Sequence, residues 1–133
     1  MKEVFADTHY FLALFNVADT MHRRAVEFSV QAEGRLVTTA WVLTEVADAL
    51  ADPANRRGCT ALIETVLRNP EIRMVPPDEE TFMKGWMLYR SRQDKGGSLT
   101  DCISFLVMKE RHIKEALTGD RHFEQAGFTA LLK

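Results

Sequence analysis

Four acids in this chain stand where a carboxylate needs a reason. In "EVFADTHYFLALF" the apolar run Val4-Phe5-Ala6 stops at Asp7, and a second apolar stretch with helical pacing begins at once. "ALTGDRHF" repeats the arrangement: an apolar strand pattern, small polar residues, Asp120 and a short helix. In "SLTDCISFLVM", Asp101 falls in the first turn of a helix, after Ser98 or Thr100 as cap. Each of these has a local explanation. Asp accepts hydrogen bonds from the free N–H groups that open a helix, and the helix dipole favours a first-turn acid by about 0.3–1 kcal/mol. Glu45, in "AWVLTEVADAL", is harder to explain, because Trp41, Val42, Leu43, Val46, Ala47, Ala49 and Leu50 make its helix apolar around much of its circumference. Glu45, Asp48 and Asp52 form one narrow stripe, and a solvated face accounts for the last two. For Glu45, solvated and functional roles stay equally open.

Gathered at one edge of a sheet, such carboxylates repel one another and raise one another's pKa unless a cation neutralises them. Hard oxygen donors without nearby Cys or paired His select Mg2+ or Mn2+ over zinc. Several carboxylates around one or two such ions suit phosphoryl transfer. The four histidines show no i, i+4 pair, so no histidine metal site is expected; His22, His112 and His122 read as surface or helix-end residues. Cys59 and Cys102 are too distant for a Cys-x-x-Cys pair, and Cys102, among Ile103, Phe105 and Leu106, reads as a small buried hydrophobe.

The elements that must position the acids follow from hydrophobic periodicity. "KEVFA", "RLVTT", "IRMVP", "KEALT" and "FTALL" read as short strands. Between them lie helices over Tyr10 to Asn16, from Asp19 or Thr20 to Ala32 with Ala25, Val26 and Phe28 inward, and over "AWVLTEVADALAD", ended by Pro53. Further helices are expected over Asn55 to Arg68, from Asp78 to the Lys95-Gly96-Gly97 turn, over Leu99 to Arg111, and in "RHFEQA". Trp41, Phe82, Trp86 and Tyr89 read as core or interface residues on those helices. Strands separated by helices imply βαβ units and a parallel sheet covered on both faces, with ligands beyond the carboxyl ends of the strands.

With 133 residues, one domain over 1–133 is expected. Apolar residues at 46% and charged residues at 27% exclude disorder, and a net charge of −2 excludes a nucleic-acid binder that relies on overall basicity. Local cations remain available as candidate contacts for a polyanion: Arg56, Arg57, Lys95 and Arg121, with Arg90 and Arg92 beside them. No membrane span or targeting segment is read, which makes the cytoplasm the default location.

The stretches "FADTHYFLALFN", "VTTAWVLTEVADAL", "GGSLTDCISFLVM" and "LTGDRHFEQAGF" together resemble the PIN-domain ribonucleases, particularly the VapC-like toxins of bacterial and archaeal toxin–antitoxin pairs. They come in that family's order and cover nearly the whole chain. The resemblance implies a three-layer α/β/α domain with a central, mainly parallel sheet of four to five short strands. It implies that Asp7, Glu45, Asp101 and Asp120 form an acidic site for Mg2+ or Mn2+, with Thr8 and Thr118 supporting it by hydrogen bonds. The activity implied is endoribonucleolytic hydrolysis that leaves 5′-phosphate and 3′-hydroxyl ends. Implied partners are an RNA substrate, a cognate antitoxin and a second copy in a homodimer. Three rival readings remain: a PIN-like binding module without catalysis, a phosphoacceptor domain, and an aspartate-nucleophile phosphatase. The last two are disfavoured, since the former wants paired acids after the first strand and the latter Asp-x-Asp, where this chain has His9.

Overall fold

Alternating β-branched runs and amphipathic helices resolve into five strands and seven helices in the computed structural model, which describes residues 2–31 and 35–133. The order is β1 (Glu3–Ala6), α1 (Thr8–Phe15), α2 (His22–Gln31), β2 (Arg35–Thr39), α3 (Ala40–Ala49), α4 (Pro53–Arg68), β3 (Ile72–Val75), α5 (Glu79–Ser91), α6 (Leu99–Glu110), β4 (Glu115–Leu117), α7 (Arg121–Gln125) and β5 (Thr129–Ala130). Every strand pair is parallel and the sheet order is β3-β2-β1-β4-β5, within three α/β/α layers. The chain builds outward from β1 to β2 and β3, then returns to lay β4 on the other side of β1. The order therefore reverses between β1 and β4, which is where open α/β sheets form their ligand crevice.

The core explains why the acid-bearing elements stay together. Phe5 of β1, Phe105 of α6 and Phe123 of α7 are all buried, with Phe105 edge-on to Phe123 at 4.9 Å between ring centres and Phe5 6.5 Å from Phe123. These three rings fasten α6 and α7 against β1. Gly85 lets α5 press onto α6, since a Cβ there would collide with Ile103. Thr39 caps α3 by accepting the Val42 N–H at 3.1 Å, and Thr38 ties β2 to β1 through the Ala6 carbonyl at 2.9 Å.

Several expectations need correction. The helix after β2 stops at Ala49, and Pro53 opens α4 instead of ending α3. Pro suits a first helical position, where its missing N–H costs nothing, and Asp52 is the cap before it, accepting the Ala54 N–H at 2.9 Å. Val26 is exposed while Ala25 is buried and Phe28 half-buried. His22 is half-buried, with Nδ1 2.7 Å from the Ala13 carbonyl oxygen. Phe82, Trp86 and Tyr89 are exposed, so they are not core, and Trp41 is half-buried, stacked on Phe82. The expected end of the second helix at Ala32 lies outside the described residues. Both cysteines are free and buried, as read for Cys102. Among the described residues no helix is long and apolar enough to cross a membrane.

Candidate active site

Asp7 follows β1 directly and occupies the capping position of α1, yet its side chain makes no capping hydrogen bond. The residue is 2% exposed. Oδ2 accepts the Thr118 hydroxyl at 2.8 Å, and Oδ1 is buried with no partner among the described residues. Helix capping thus does not explain this acid. Burial first, and the charge of Asp101 second, push its pKa up to about 7 against the opposing Thr118 hydrogen bond.

Asp101 and Asp120 do cap, and that places them. Asp101 is the third residue of α6 and closes a reciprocal box with Ser98: its N–H donates to Ser98 Oγ, and its Oδ2 accepts the Ser98 N–H, both at 3.0 Å. Burial pushes its pKa up, the Ser98 N–H opposes, and the charges of Asp120 and Glu45 add to the rise. Asp120 caps α7 by accepting the His122 N–H at 2.9 Å. Its own N–H donates to Thr118 Oγ1 at 3.0 Å. One threonine hydroxyl therefore links the acid after β1 to the acid after β4.

Glu45 is half-buried, and its Oε1 accepts the Thr8 hydroxyl at 2.5 Å. Thr8 thus supports Glu45, while Thr118 supports Asp7. The Glu45 charge acts on Asp101, so the even choice left for this residue falls toward the cluster. Asp101 is the common member: its charge acts on Asp7, and the charges of Asp120 and Glu45 act on it, but among the described residues Asp7 and Glu45 stand outside the tight ligand group that Asp101 and Asp120 join.

His122 was read as a surface or helix-end residue and belongs to this group. Ligand atoms of Asp101, Asp120 and His122 lie within 4.8 Å of one another, and His122 Nδ1 is 2.8 Å from Asp120 Oδ1, off the line of a hydrogen bond. The available signal was its place two residues after a strand-end acid. His9, exposed, has Nδ1 3.4 Å from the Gly119 N–H and its charge lowers the Asp7 pKa.

The basic candidates divide. Arg56 donates to the Ala51 carbonyl at 2.9 Å and lines a cavity between α3 and α4 that contains none of the four acids. Arg57 is exposed. Arg121 is exposed beside Asp120, and Lys95 lies at the turn before α6.

The donor set fits a divalent cation. An orphaned, buried carboxylate oxygen on Asp7 is costly without a partner, and oxygen ligands from Asp7, Asp101 and Asp120 are of the hard type that such ions take.

A parallel α/β/α sheet with acids at its switch point defines the class, and the family model described as "PIN domain" matches residues 4–129: the chain belongs to the PIN-domain family. Within it, the chain is similar to the 23S rRNA-specific endonuclease VapC20 of Mycobacterium tuberculosis, at 28% identity over 94% of this chain and 95% of the relative. The crystal structure of that protein, described as a Sarcin-Ricin loop cleaving toxin, superposes with a TM-score of 0.86 at 24% identity, covering 95% of this chain and 96% of the other. VapBC2 from Rickettsia felis, bound to a promoter DNA fragment, has a TM-score of 0.68 at 8% identity, covering 96% of each chain. FitAcB from Neisseria gonorrhoeae gives 0.63 at 17% identity, covering 96% of this chain and 94% of the other; at these identities the three structures speak to the fold alone.

Proposed function

We propose that this chain is a metal-dependent endoribonuclease and the toxin of a toxin–antitoxin pair. The single observation that carries the chemistry is Asp7: buried, uncapping, with one oxygen unpartnered, and within reach of the Asp101 charge. Nuclease kinship to VapC20 supports RNA as substrate. The toxin–antitoxin neighbours support an antitoxin partner.

Asp7, Asp101 and Asp120 would hold Mg2+ or Mn2+, with Glu45 contributing at the open side. Bound there, the ion supplies Lewis acidity for phosphodiester hydrolysis. The protein's own part is positional. Thr118 holds Asp7 and Asp120 in fixed relation, the Ser98 box aims Asp101, and Thr8 orients Glu45. His122 packs against Asp120 and limits its swing. Burial raises the Asp7 pKa to about 7, so near neutral pH a proton and a bound cation would compete for its carboxylate. Homodimerisation and a cytoplasmic setting belong to the same reading.

The test is cleavage of a mixture of ribosomal, transfer and messenger RNA with Mg2+ or Mn2+, with and without chelator. Wild-type protein is expected to cut only with the ion. Cutting that survives excess chelator, or no cutting under any ion, defeats the proposal; the second outcome favours the binding-module alternative.

A further inference from the structure

Across the Gly96-Gly97 turn from the acids lies a cavity of about 420 Å³ with the opposite chemistry. Trp86 and Tyr89 of α5 form one wall, their rings stacked 5.7 Å apart at 23°. They are 40% and 41% exposed. Arg90, Arg92 and Lys95 supply the charge. Arg92 is half-buried and lays its guanidinium 5.6 Å from the buried Phe105 ring centre, with Nε and Nη2 themselves buried and without a hydrogen-bond partner among the described residues. Among the described residues neither Arg90 nor Arg92 forms an ion pair, and Lys95 meets only Asp94, at 3.8 Å.

The wall between this cavity and the acids is thin. A Cβ at Gly96 would collide with His122 Nε2, and one at Gly97, whose φ is +105°, would sit 3.6 Å from Asp101 Oδ2. Here a polyanion repelled by carboxylates would find compensating charge within a residue's reach of them. Bases stack on aromatic side chains whatever their sequence, while Lys and Arg take the phosphates.

Building on the ribonuclease reading, we infer that this cavity is the subsite for a nucleotide flanking the cleaved bond, its base on Trp86 and Tyr89 and its phosphate toward Arg90, Arg92 and Lys95. The apolar face of α5 continues through exposed Met83 and Met87, a surface a second protein chain could also cover. Three cations with a single weak counter-charge favour the polyanion.

Binding of an unstructured ten-nucleotide RNA to the non-cutting Asp7→Asn protein tests this by fluorescence anisotropy. Added Trp86→Ala is expected to weaken binding about tenfold, and the pair Arg90→Ala with Lys95→Ala to flatten the salt slope by about 1.4, at roughly 0.7 per phosphate contact on a single strand. Trp41→Phe leaves Trp86 as sole tryptophan, and its emission should quench on adding the RNA but not inorganic phosphate. Unchanged affinity, slope and emission overturn the subsite. So does a Trp86→Ala protein that keeps RNA affinity but loses self-association in light scattering, which assigns the face to a second copy. Parallel cleavage assays separate the two readings. Metal-dependent cutting without any effect of these variants sinks the subsite alone; RNA binding through Trp86 without cutting upholds nucleotide binding in this cavity and sinks the ribonuclease, and with it the flanking of a cleaved bond.

Discussion

The two ends of the sheet carry the same kinds of side chain in opposite conditions. At the amino end Glu3 pairs with Arg111 at 2.8 Å and Glu115 with Lys2, around a cavity of about 620 Å³. At the carboxyl end Asp7, Glu45 and Asp101 form no ion pair among the described residues, and Asp120 meets only His122. That cavity thus lies at the end where acid and base already neutralise each other. Size does not mark the chemistry here; unpaired charge does. A fold gains no stability by burying carboxylates together, so their presence at the switch point points to a ligand that reverses the penalty.

Breaking the acidic end gives the largest expected effect. Asp7→Asn should lower metal-dependent cleavage by on the order of 10³-fold, several kcal/mol of lost stabilisation at the reacting phosphate, while circular dichroism stays native. The same change should stabilise the metal-free protein. Between the ordinary Asp value near 4 and about 7 the folded chain holds a proton the unfolded chain has released, so wild-type stability falls as pH rises through that window. Chelated Asp7→Asn protein should lose that slope and melt higher than wild type at pH 8, by thermal denaturation.

Next in size is the ion itself. Mg2+ or Mn2+ at about 100 times its Kd should stabilise wild type by about 2.7 kcal/mol, and Asp7→Asn much less; equal shifts in both would show that the ion binds elsewhere. Thr118→Val follows. It strands Asp7 Oδ2 and the Asp120 N–H together, and about 10–100-fold loss in metal affinity is expected from calorimetric titration. Smallest is Glu3→Gln at the neutralised end, with under about 1 kcal/mol in denaturant unfolding and unchanged cleavage.

The strands were legible from periodicity, and Asp7 and Asp120 stood out because each closes an apolar run, whereas a local cap accounted equally well for Asp101 and a solvated face for Glu45. Pro53 misled because the same residue stops one helix or starts another, and the Asp52 cap that decides between them also fits an acidic stripe. His122 was missed because its role depends on Asp101, distant along the chain and brought close by the Phe105–Phe123 contact. The exposure of Trp86 and Tyr89 was equally out of reach: helical spacing says which residues share a face, and only packing says whether anything covers it.

Thr118 reaches back across 111 positions to hold Asp7. At translation rates of 5–20 residues per second, roughly 6–20 s separate synthesis of those two partners. During that interval a growing chain has its first acid but nothing to aim it, so the ribosome making this protein handles a blade without an edge.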